Sequence, residues 1–193
     1  LAVGCGYKYL NGGPGAPAFT YVAERHQDKV QQPLTGWFSH KAPFEFVDDY
    51  KPTDGIKRML VGTTGVLAAS ALDSALSAFD GVDMAAIREK SVALTDMFIA
   101  LVEEELSQFG VTLATTKDST RRGSHVSLKH EDGYAIIQAL IERSVIGDFR
   151  APNYMRFGFT PLYLGFEDIY RSIEILAEIL ETEIWREARF NEK

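Results

Sequence analysis

The sequence predicts an α/β protein that ends in a compact α+β domain, and three observations lead to this fold class. Asp83 occupies a helix N-cap position, and the apolar residues after it keep helical spacing as far as Gly110. Residues 111–115 and 125–130 alternate between apolar and polar side chains, as half-buried strands do. The segment from about 166 to 190 has an apolar stripe at helical spacing, formed by Ile169, Ile173, Leu176, Leu180 and Ile184. Helices packed on one face of a sheet account for this pattern.

Two further segments complete this second domain. Residues 132–144 have apolar residues at helical spacing and predict another helix. Residues 145–163 predict two strands joined by a Pro-Asn turn. We therefore expect the domain to cover residues 84–193, after a first domain segment of residues 1–83.

The first 83 residues contain fewer regular elements. Residues 1–5 predict a short buried strand, and 18–26 have the aromatic and β-branched content of a second strand. The small residues of 62–79 predict a helix that packs closely. Between them, 31–58 is a long irregular stretch rich in aromatic residues, proline and aspartate, and such long loops are more often functional than idle. Because the chain opens inside a strand and without Met, we expect it to be part of a longer protein.

Composition excludes several classes of partner. The formal net charge is −7 and no block of Lys and Arg occurs, so nucleic acid and anionic membrane surfaces are poor candidates. The longest apolar stretches, such as 66–72, are too short to span a membrane. One cysteine, Cys5, excludes an internal disulfide framework and fits a reducing compartment, so we expect the cytoplasm. One Cys and four His do not supply the usual zinc spacings, and we expect no metal.

The segment GCGYKYLNGGPG, residues 4–15, places a lysine before a cluster of glycines. A Walker loop requires its lysine after the glycines, and a dinucleotide fingerprint requires a helix and a later acid that do not follow cleanly. A plain surface lysine remains possible. Lys8, however, follows a predicted buried strand and lies between Tyr7 and Tyr9. Partial burial there would disfavour the ammonium form, which suits a lysine that forms a Schiff base.

Four segments, taken together, resemble the kynureninases, which belong to the class V aminotransferase branch of the fold-type-I enzymes. They are the lysine segment, LTGWFSH at 34–40, GTT at 62–64 and YMRFGFTPLYLGFEDIY at 154–170. The resemblance implies the pyridoxal 5'-phosphate (PLP) transferase fold. Residues 1–83 would then be the C-terminal part of the PLP-binding large domain, and 84–193 a complete small C-terminal domain.

The resemblance also implies roles for individual residues. Lys8 matches the lysine that binds PLP and moves the substrate's Cα proton. Tyr7 matches a tyrosine that binds the cofactor phosphate and serves as a proton donor. Trp37 and Thr63 match two further phosphate contacts, at least one of them across a homodimer interface. Arg156 matches the arginine that binds the substrate's α-carboxylate.

Each of these assignments has a plainer alternative. Trp37 has the alternative of a core aromatic residue, and Thr63 that of a plain helix N-cap. Arg156 has the alternative of a surface ion pair, although a planar two-pronged donor suits a carboxylate well. Arg150 is the alternative candidate for the carboxylate contact. His40 lies within the second matched segment and is expected to be structural, or to support a residue of the site, rather than catalytic.

The implied activity is hydrolysis of L-kynurenine or 3-hydroxykynurenine to an anthranilate and L-alanine, a step of tryptophan catabolism and NAD biosynthesis. The implied state is a homodimer that acts on a small amino acid. The family's upstream half, with the acid that pairs with the cofactor's pyridine nitrogen, is not in this sequence. An aminotransferase of the same class and a non-catalytic dimerisation fragment remain as alternatives. A cysteine desulfurase fits less well, because no cysteine follows Cys5.

Overall fold

The protein is described from a computed structural model that covers residues 1–191. It divides into two compact units, one from Leu1 to Gly81 and one that begins at Val82. The assignment of residues 1–83 to a large domain and of 84–193 to a small domain remains a prediction.

The first unit consists mainly of loops around a two-stranded sheet and one longer helix. The strands are antiparallel, with Ala2 opposite Tyr21 and Cys5 opposite Ala18. Short 3-10 turns occur within the loops. The regular elements are β1 (Ala2–Cys5), β2 (Ala18–Tyr21), α1 (Glu24–Gln27) and α2 (Val66–Leu76).

The expectation of a buried first strand is wrong. Leu1 and Val3 are 75% and 81% exposed, because β1 pairs only with β2 and no layer covers the pair within the described residues. The strand expected over 18–26 is also shorter, since α1 begins at Glu24. Among the described residues of this unit, Val22 is the single fully buried apolar side chain.

The second unit has the α+β architecture that the sequence predicts. Its sheet is antiparallel, and its strands lie in the order β3 (Thr112–Leu113), β4 (His125–Lys129), β6 (Tyr154–Gly158) and β5 (Asp148–Arg150). The two strands expected within 145–163 are present as β5 and β6. The elements are α3 (Met84–Leu101), β3 (Thr112–Leu113), β4 (His125–Lys129), α4 (Gly133–Glu142), β5 (Asp148–Arg150), β6 (Tyr154–Gly158), α5 (Phe166–Thr182) and α6 (Ala188–Asn191).

Helix boundaries agree with the sequence at some ends and not at others. Asp83 caps α3 as expected, because its Oδ1 accepts a hydrogen bond of 3.0 Å from the backbone of Ala85. Helical turns continue beyond α3 to Gly110, which has a φ of 78° and so ends the segment. The final helix was expected to reach about 190, but α5 ends at Thr182 because Glu183 is left-handed, with a φ of 52°.

The core of this unit lies on one face of the sheet, against α3, α4 and α5. Alternate residues of each strand point to opposite faces, so Met155 and Phe157 of β6 are buried in the core. Each such large apolar side chain contributes about 1.5–3 kcal/mol when fully buried. Their neighbours Tyr154 and Arg156 consequently lie on the face away from the helices, and this face carries the polar side chains of the strands.

Candidate active site

Lys8 lies in a tight turn that follows β1 directly. The antiparallel pairing extends one residue past the strand, since the Gly6 N–H donates to the Pro17 carbonyl over 3.0 Å. The Lys8 carbonyl then accepts from the Asn11 N–H over 2.9 Å, which closes the turn. A bond of 2.9 Å from the Gly12 N–H to the Gly6 carbonyl ties the end of the turn to its beginning. The structure therefore places Lys8 just after the end of β1, as the sequence predicts.

The glycines around this turn serve two different purposes. A Cβ on Gly6 or Gly12 would lie 2.8 and 2.9 Å from the side chain of Leu72 in α2, so both positions are closed to larger residues. Gly13 and Gly15 have open space around them but positive φ values of 71° and 93°, which favour glycine. The first two glycines thus let α2 pack on the lysine turn, and the other two let the chain bend back to β2.

The Lys8 side chain is exposed rather than held between two aromatic rings. Its Nζ lies 5.2 Å from the centroid of the Tyr7 ring, and no other partner is present within residues 1–191. Tyr7 and Tyr9 are themselves 43% and 38% exposed. The expected burial between aromatics is therefore not found. The amine is instead accessible to a ligand from solvent.

Trp37 begins a short 3-10 turn, Trp37–Ser39, in the long aromatic loop. Its ring packs against Phe38 and Phe44, with centroid separations of 4.2 and 5.9 Å. The side chain is nevertheless 46% exposed, so the alternative of a core aromatic residue is wrong. The preceding Gly36 lies so close to the carbonyl of Val61 that a Cβ would overlap that oxygen.

A buried serine holds this turn in shape. Ser39 Oγ donates to the Gly36 carbonyl over 2.8 Å and accepts a bond of 2.9 Å from the hydroxyl of Tyr50. Ser39 is fully buried, and such buried hydroxyls are costly to leave without partners. The position of Trp37 is therefore fixed on both sides, by Gly36 and by Ser39.

His40 forms both of its ring hydrogen bonds within the same loop, which supports the structural role expected of it. Its Nδ1 accepts a hydrogen bond of 2.9 Å from the Ala42 N–H, so the ring proton is on Nε2, which donates to the Asp49 carbonyl over 3.1 Å. Both ring nitrogens are thus used within the loop.

The same loop forms an open cavity of about 530 Å³. The cavity is lined by Thr35, Gly36, Trp37, His40, Ala42, Pro43, Phe44, Phe46, Val47, Asp48 and Tyr50.

Thr63 lies in an exposed segment that leads into α2. The N-cap of that helix is Gly65 and has no side-chain cap bond, so the alternative of Thr63 as the N-cap is wrong. Within residues 1–191, neither the Thr63 hydroxyl nor that of Thr64 has a hydrogen-bond partner. Because Gly36 contacts Val61, the segments that carry Trp37 and Thr63 pack together in one local framework.

Arg156 lies in the middle of β6, opposite Asp148 on β5 and Ser127 on β4. Its Nη2 forms an ion pair with Asp148 Oδ2. The other candidate, Arg150, donates from Nη1 to Asp148 Oδ1 over 2.7 Å. The two arginines therefore share the carboxylate of Asp148. The sequence did not lead us to expect a role for Asp148. The available signal was the two-residue spacing of Asp148 and Arg150, which places both on one face of a strand.

The side chains assigned to PLP fit such a cofactor chemically. Lys8 supplies an accessible primary amine, and Tyr7, Trp37 and Thr63 supply three exposed donors that have no hydrogen-bond partner within residues 1–191. A phosphate accepts hydrogen bonds through several oxygens, and an aldehyde condenses with an amine.

Within residues 1–191, no group of three or more His, Cys, Asp and Glu side chains is placed to hold a metal ion. No described helix is long and apolar enough to cross a bilayer.

The fold resembles that of PLP-dependent enzymes. The apo structure of a cysteine desulfurase from Thermococcus onnurineus NA1 matches 93% of this chain with a TM-score of 0.73 and 17% identity, over 46% of its own length. A C-DES variant with glycine covalently linked to its PLP cofactor matches 82% of the chain with a TM-score of 0.59 and 22% identity, over 40% of its own length. The chain thus has the fold of the C-terminal part of this enzyme class.

Sequence comparison identifies a narrower group of relatives. Residues 87–176 match the family model of the kynureninase C-terminal domain. The chain is 49% identical to a kynureninase from Pseudomonas fluorescens over 189 residues, which are 98% of this chain and 45% of the relative. The chain is therefore a relative of the kynureninases and corresponds to their C-terminal half. It spans about half the length of the curated relatives it matches.

Proposed function

We propose that the full-length protein containing this chain is a PLP-dependent kynureninase. It would hydrolyse L-kynurenine or its 3-hydroxy form to anthranilate or 3-hydroxyanthranilate and L-alanine. The observation that carries this proposal is the 49% identity to a kynureninase over 98% of the chain. The exposed amine and donors of the first unit and the arginine pair of the second unit support it chemically.

In this proposal the first unit holds the cofactor. Lys8 supplies the amine that binds PLP, while Tyr7, Trp37 and Thr63 donate hydrogen bonds to its phosphate. Bonds to a charged acceptor are stronger than neutral ones and contribute about 1.5–3 kcal/mol each. Leu72 packs on the turn that carries Tyr7 and Lys8, and Gly36 packs on Val61 beside the segment that carries Thr63, which supports this assignment.

The reaction consumes one water for each kynurenine and breaks the Cβ–Cγ bond. PLP, when bound, supplies the aldehyde that takes up the substrate amine and the ring that accepts electrons from Cα. The Lys8 amine removes the Cα proton and returns a proton later in the cycle. Water adds to the γ-carbonyl, and the aryl carboxylic acid leaves. Tyr7 is placed beside Lys8 and gives a proton to the three-carbon fragment that becomes alanine.

The substrate would be bound through its carboxylate by Arg156. A guanidinium stays charged at any working pH and offers parallel N–H donors that match a carboxylate. Arg156 is 40% exposed and uses one terminal nitrogen for Asp148. It therefore retains donors for a ligand.

We further propose a cytoplasmic homodimer, with the first unit at the contact between subunits. Large apolar side chains of this unit are exposed, among them Phe46 and Leu67, both at 88%. Exposed apolar surface of this extent is typical of an interaction site, and both the rest of the longer protein and a second subunit fit it. Since the segments carrying Trp37 and Thr63 pack together, we expect both residues to come from the same subunit. The acidic net charge favours a small-molecule ligand over nucleic acid.

One experiment tests the activity and its main competitor together. The full-length gene product is purified, supplied with PLP and assayed for anthranilate released from L-kynurenine and for sulfide released from L-cysteine under a reductant. We expect anthranilate and no sulfide. The fold resembles that of a cysteine desulfurase, but this chain has no cysteine after Cys5. Release of sulfide without anthranilate would establish a cysteine desulfurase. Release of neither product would indicate a non-catalytic protein.

A further inference from the structure

Asp148 is bracketed by two arginines on the sheet face that points away from the helices. Its Oδ2 pairs with Arg156 on the neighbouring strand, and its Oδ1 accepts from Arg150 on its own strand over 2.7 Å. The three groups carry two positive charges and one negative charge. Within residues 1–191, one positive charge is therefore left without a carboxylate of its own, which suits an anionic ligand.

The ion pair also decides which part of Arg156 is available. Arg156 uses Nη2 for Asp148, and its Nη1 and Nε have no partner within residues 1–191. A guanidinium is planar, so fixing one of its nitrogens restricts the direction in which the other two point. A free arginine side chain would lose up to about 2 kcal/mol of rotamer entropy when it binds, and an arginine already held in place loses less.

We propose that Asp148 is a positioning residue that orients Arg156 toward the α-carboxylate of an amino-acid ligand, and that Arg150 acts only by holding Asp148. This inference rests on the proposed function, because it takes Arg156 as the carboxylate contact. It also gives distinct roles to two arginines that the sequence alone leaves as competing candidates.

Stability alone does not explain the arrangement. Arg150, Asp148 and Arg156 are 60%, 43% and 40% exposed. Ion pairs at such exposed positions contribute little to folding, typically about 0–1 kcal/mol. The pair formed by Arg143 and Glu178 has similar exposure, 41% and 54%, with two parallel bonds of 3.0 and 2.7 Å. Glu178→Gln therefore serves as a matched control that breaks an ion pair outside the proposed site.

The test measures binding on the PLP-loaded full-length protein by isothermal titration calorimetry. The probes are L-alanine and L-alaninamide, which differ in the carboxylate that Arg156 would bind. For Asp148→Asn we expect the preference for L-alanine to fall about tenfold, the effect of losing one hydrogen bond to a charged group. Arg150→Gln should lower this preference less than Asp148→Asn does. The double variant, Asp148→Asn with Arg150→Gln, should show the same preference as Asp148→Asn alone. Asp148→Glu should recover part of the preference.

The outcomes separate this proposal from the proposed function. An unchanged preference in Asp148→Asn, as in Glu178→Gln, would overturn the positioning role, and so would tighter binding of L-alanine. Additive losses from Asp148→Asn and Arg150→Gln would show that Arg150 acts on its own. If Arg156→Lys itself keeps the full preference for L-alanine, the carboxylate contact is misassigned and the positioning role of Asp148 fails with it. The proposed kynureninase activity is tested separately, by anthranilate release. The PLP absorbance and the unfolding midpoint of each variant report whether it is folded.

Discussion

The backbone of Gly36 lies directly against the carbonyl oxygen of Val61, with no room for a side chain at Gly36. Trp37 directly follows Gly36, and Thr63 lies two positions after Val61. A single contact between loops more than 20 residues apart thus holds together the two segments that we assign to the cofactor phosphate. Local sequence at either segment does not reveal this contact.

Gly36→Ala is expected to disturb both segments at once. The added methyl group meets backbone rather than a flexible side chain, so we expect the free energy of unfolding to fall by about 1–3 kcal/mol, as in overpacked sites. PLP affinity should also fall. Thermal unfolding and a PLP titration of the full-length protein measure the two effects. Gly123→Ala is the control, because a Cβ there meets nothing within 4 Å. Equal behaviour of the two variants would contradict the packing argument.

Lys8 should be the lysine that binds PLP covalently. Reduction of the PLP-loaded protein with borohydride, followed by peptide mapping, should locate the pyridoxyl group on Lys8. Lys8→Ala should lose the absorbance band of lysine-bound PLP and multiple-turnover activity, because no amine remains at the end of β1. Lys8→Arg, which keeps a positive charge, should lose them as well. A pyridoxyl label on another lysine would disprove the assignment.

The helices of the second unit were predictable because each buries one stripe of apolar residues. In α5, Ile169, Ile173 and Leu176 are all at most 3% exposed, as their spacing indicates. The end of α5 was not predictable, because the chain turns at Glu183, where neither glycine nor proline marks a stop. The exposure of β1 was also missed, since alternation along a strand does not say what covers it.

The site shows the same division between local and long-range information. Motif order located Lys8 and Arg156, because each lies within a short segment of distinctive sequence. The ion pair of Arg156 with Asp148 follows from the register of β5 and β6, which sequence spacing does not fix. Likewise, the packing of Leu72 on the lysine turn joins residues about 60 positions apart.

Trp37 and Thr63 should each contribute one hydrogen bond to the cofactor phosphate. Trp37→Phe keeps an aromatic ring but removes the N–H, and Thr63→Val keeps the shape but removes the hydroxyl. Since a bond to a charged group contributes about 1.5–3 kcal/mol, each variant should bind PLP at least about tenfold more weakly. Thr64→Val is the matched control, because Thr64 is also exposed and lies next to Thr63. Equilibrium dialysis gives the affinities. Weakening by Thr64→Val alone would move the assignment by one residue.

The ion pair between Arg143 and Glu178 should make stability depend on pH. The hydrogen bond from Arg143, and then its charge, hold the pKa of Glu178 below its ordinary value. A lowered pKa means that the unfolded state binds the proton more readily, so the stabilisation is present above about pH 4.3 and is lost as pH falls through the lowered pKa. Because the pair is exposed, the effect is small: Glu178→Gln should lower the unfolding midpoint only slightly at neutral pH, and not at the acidic limit of folding.

The control for this pH effect is Glu174→Gln, an exposed position on the same helix whose carboxylate has no ion-pair partner within residues 1–191. Its unfolding midpoint should follow that of the unmodified protein across the whole pH range. A difference between Glu178→Gln and the unmodified protein that stays constant down to the acidic limit would contradict the ion pair as its cause.

The substrate contact should be selective for Arg156 over Arg150. Arg156→Lys keeps the charge but loses the planar fork, so we expect kcat/KM for L-kynurenine to fall by about 10- to 100-fold. The absorbance of bound PLP should be unchanged, because Arg156 contacts substrate alone. Arg150→Lys should have a smaller effect, since a lysine there still reaches the Asp148 carboxylate. Steady-state kinetics of both variants decide the matter. A large loss in Arg150→Lys with normal kinetics in Arg156→Lys would assign the carboxylate contact to Arg150.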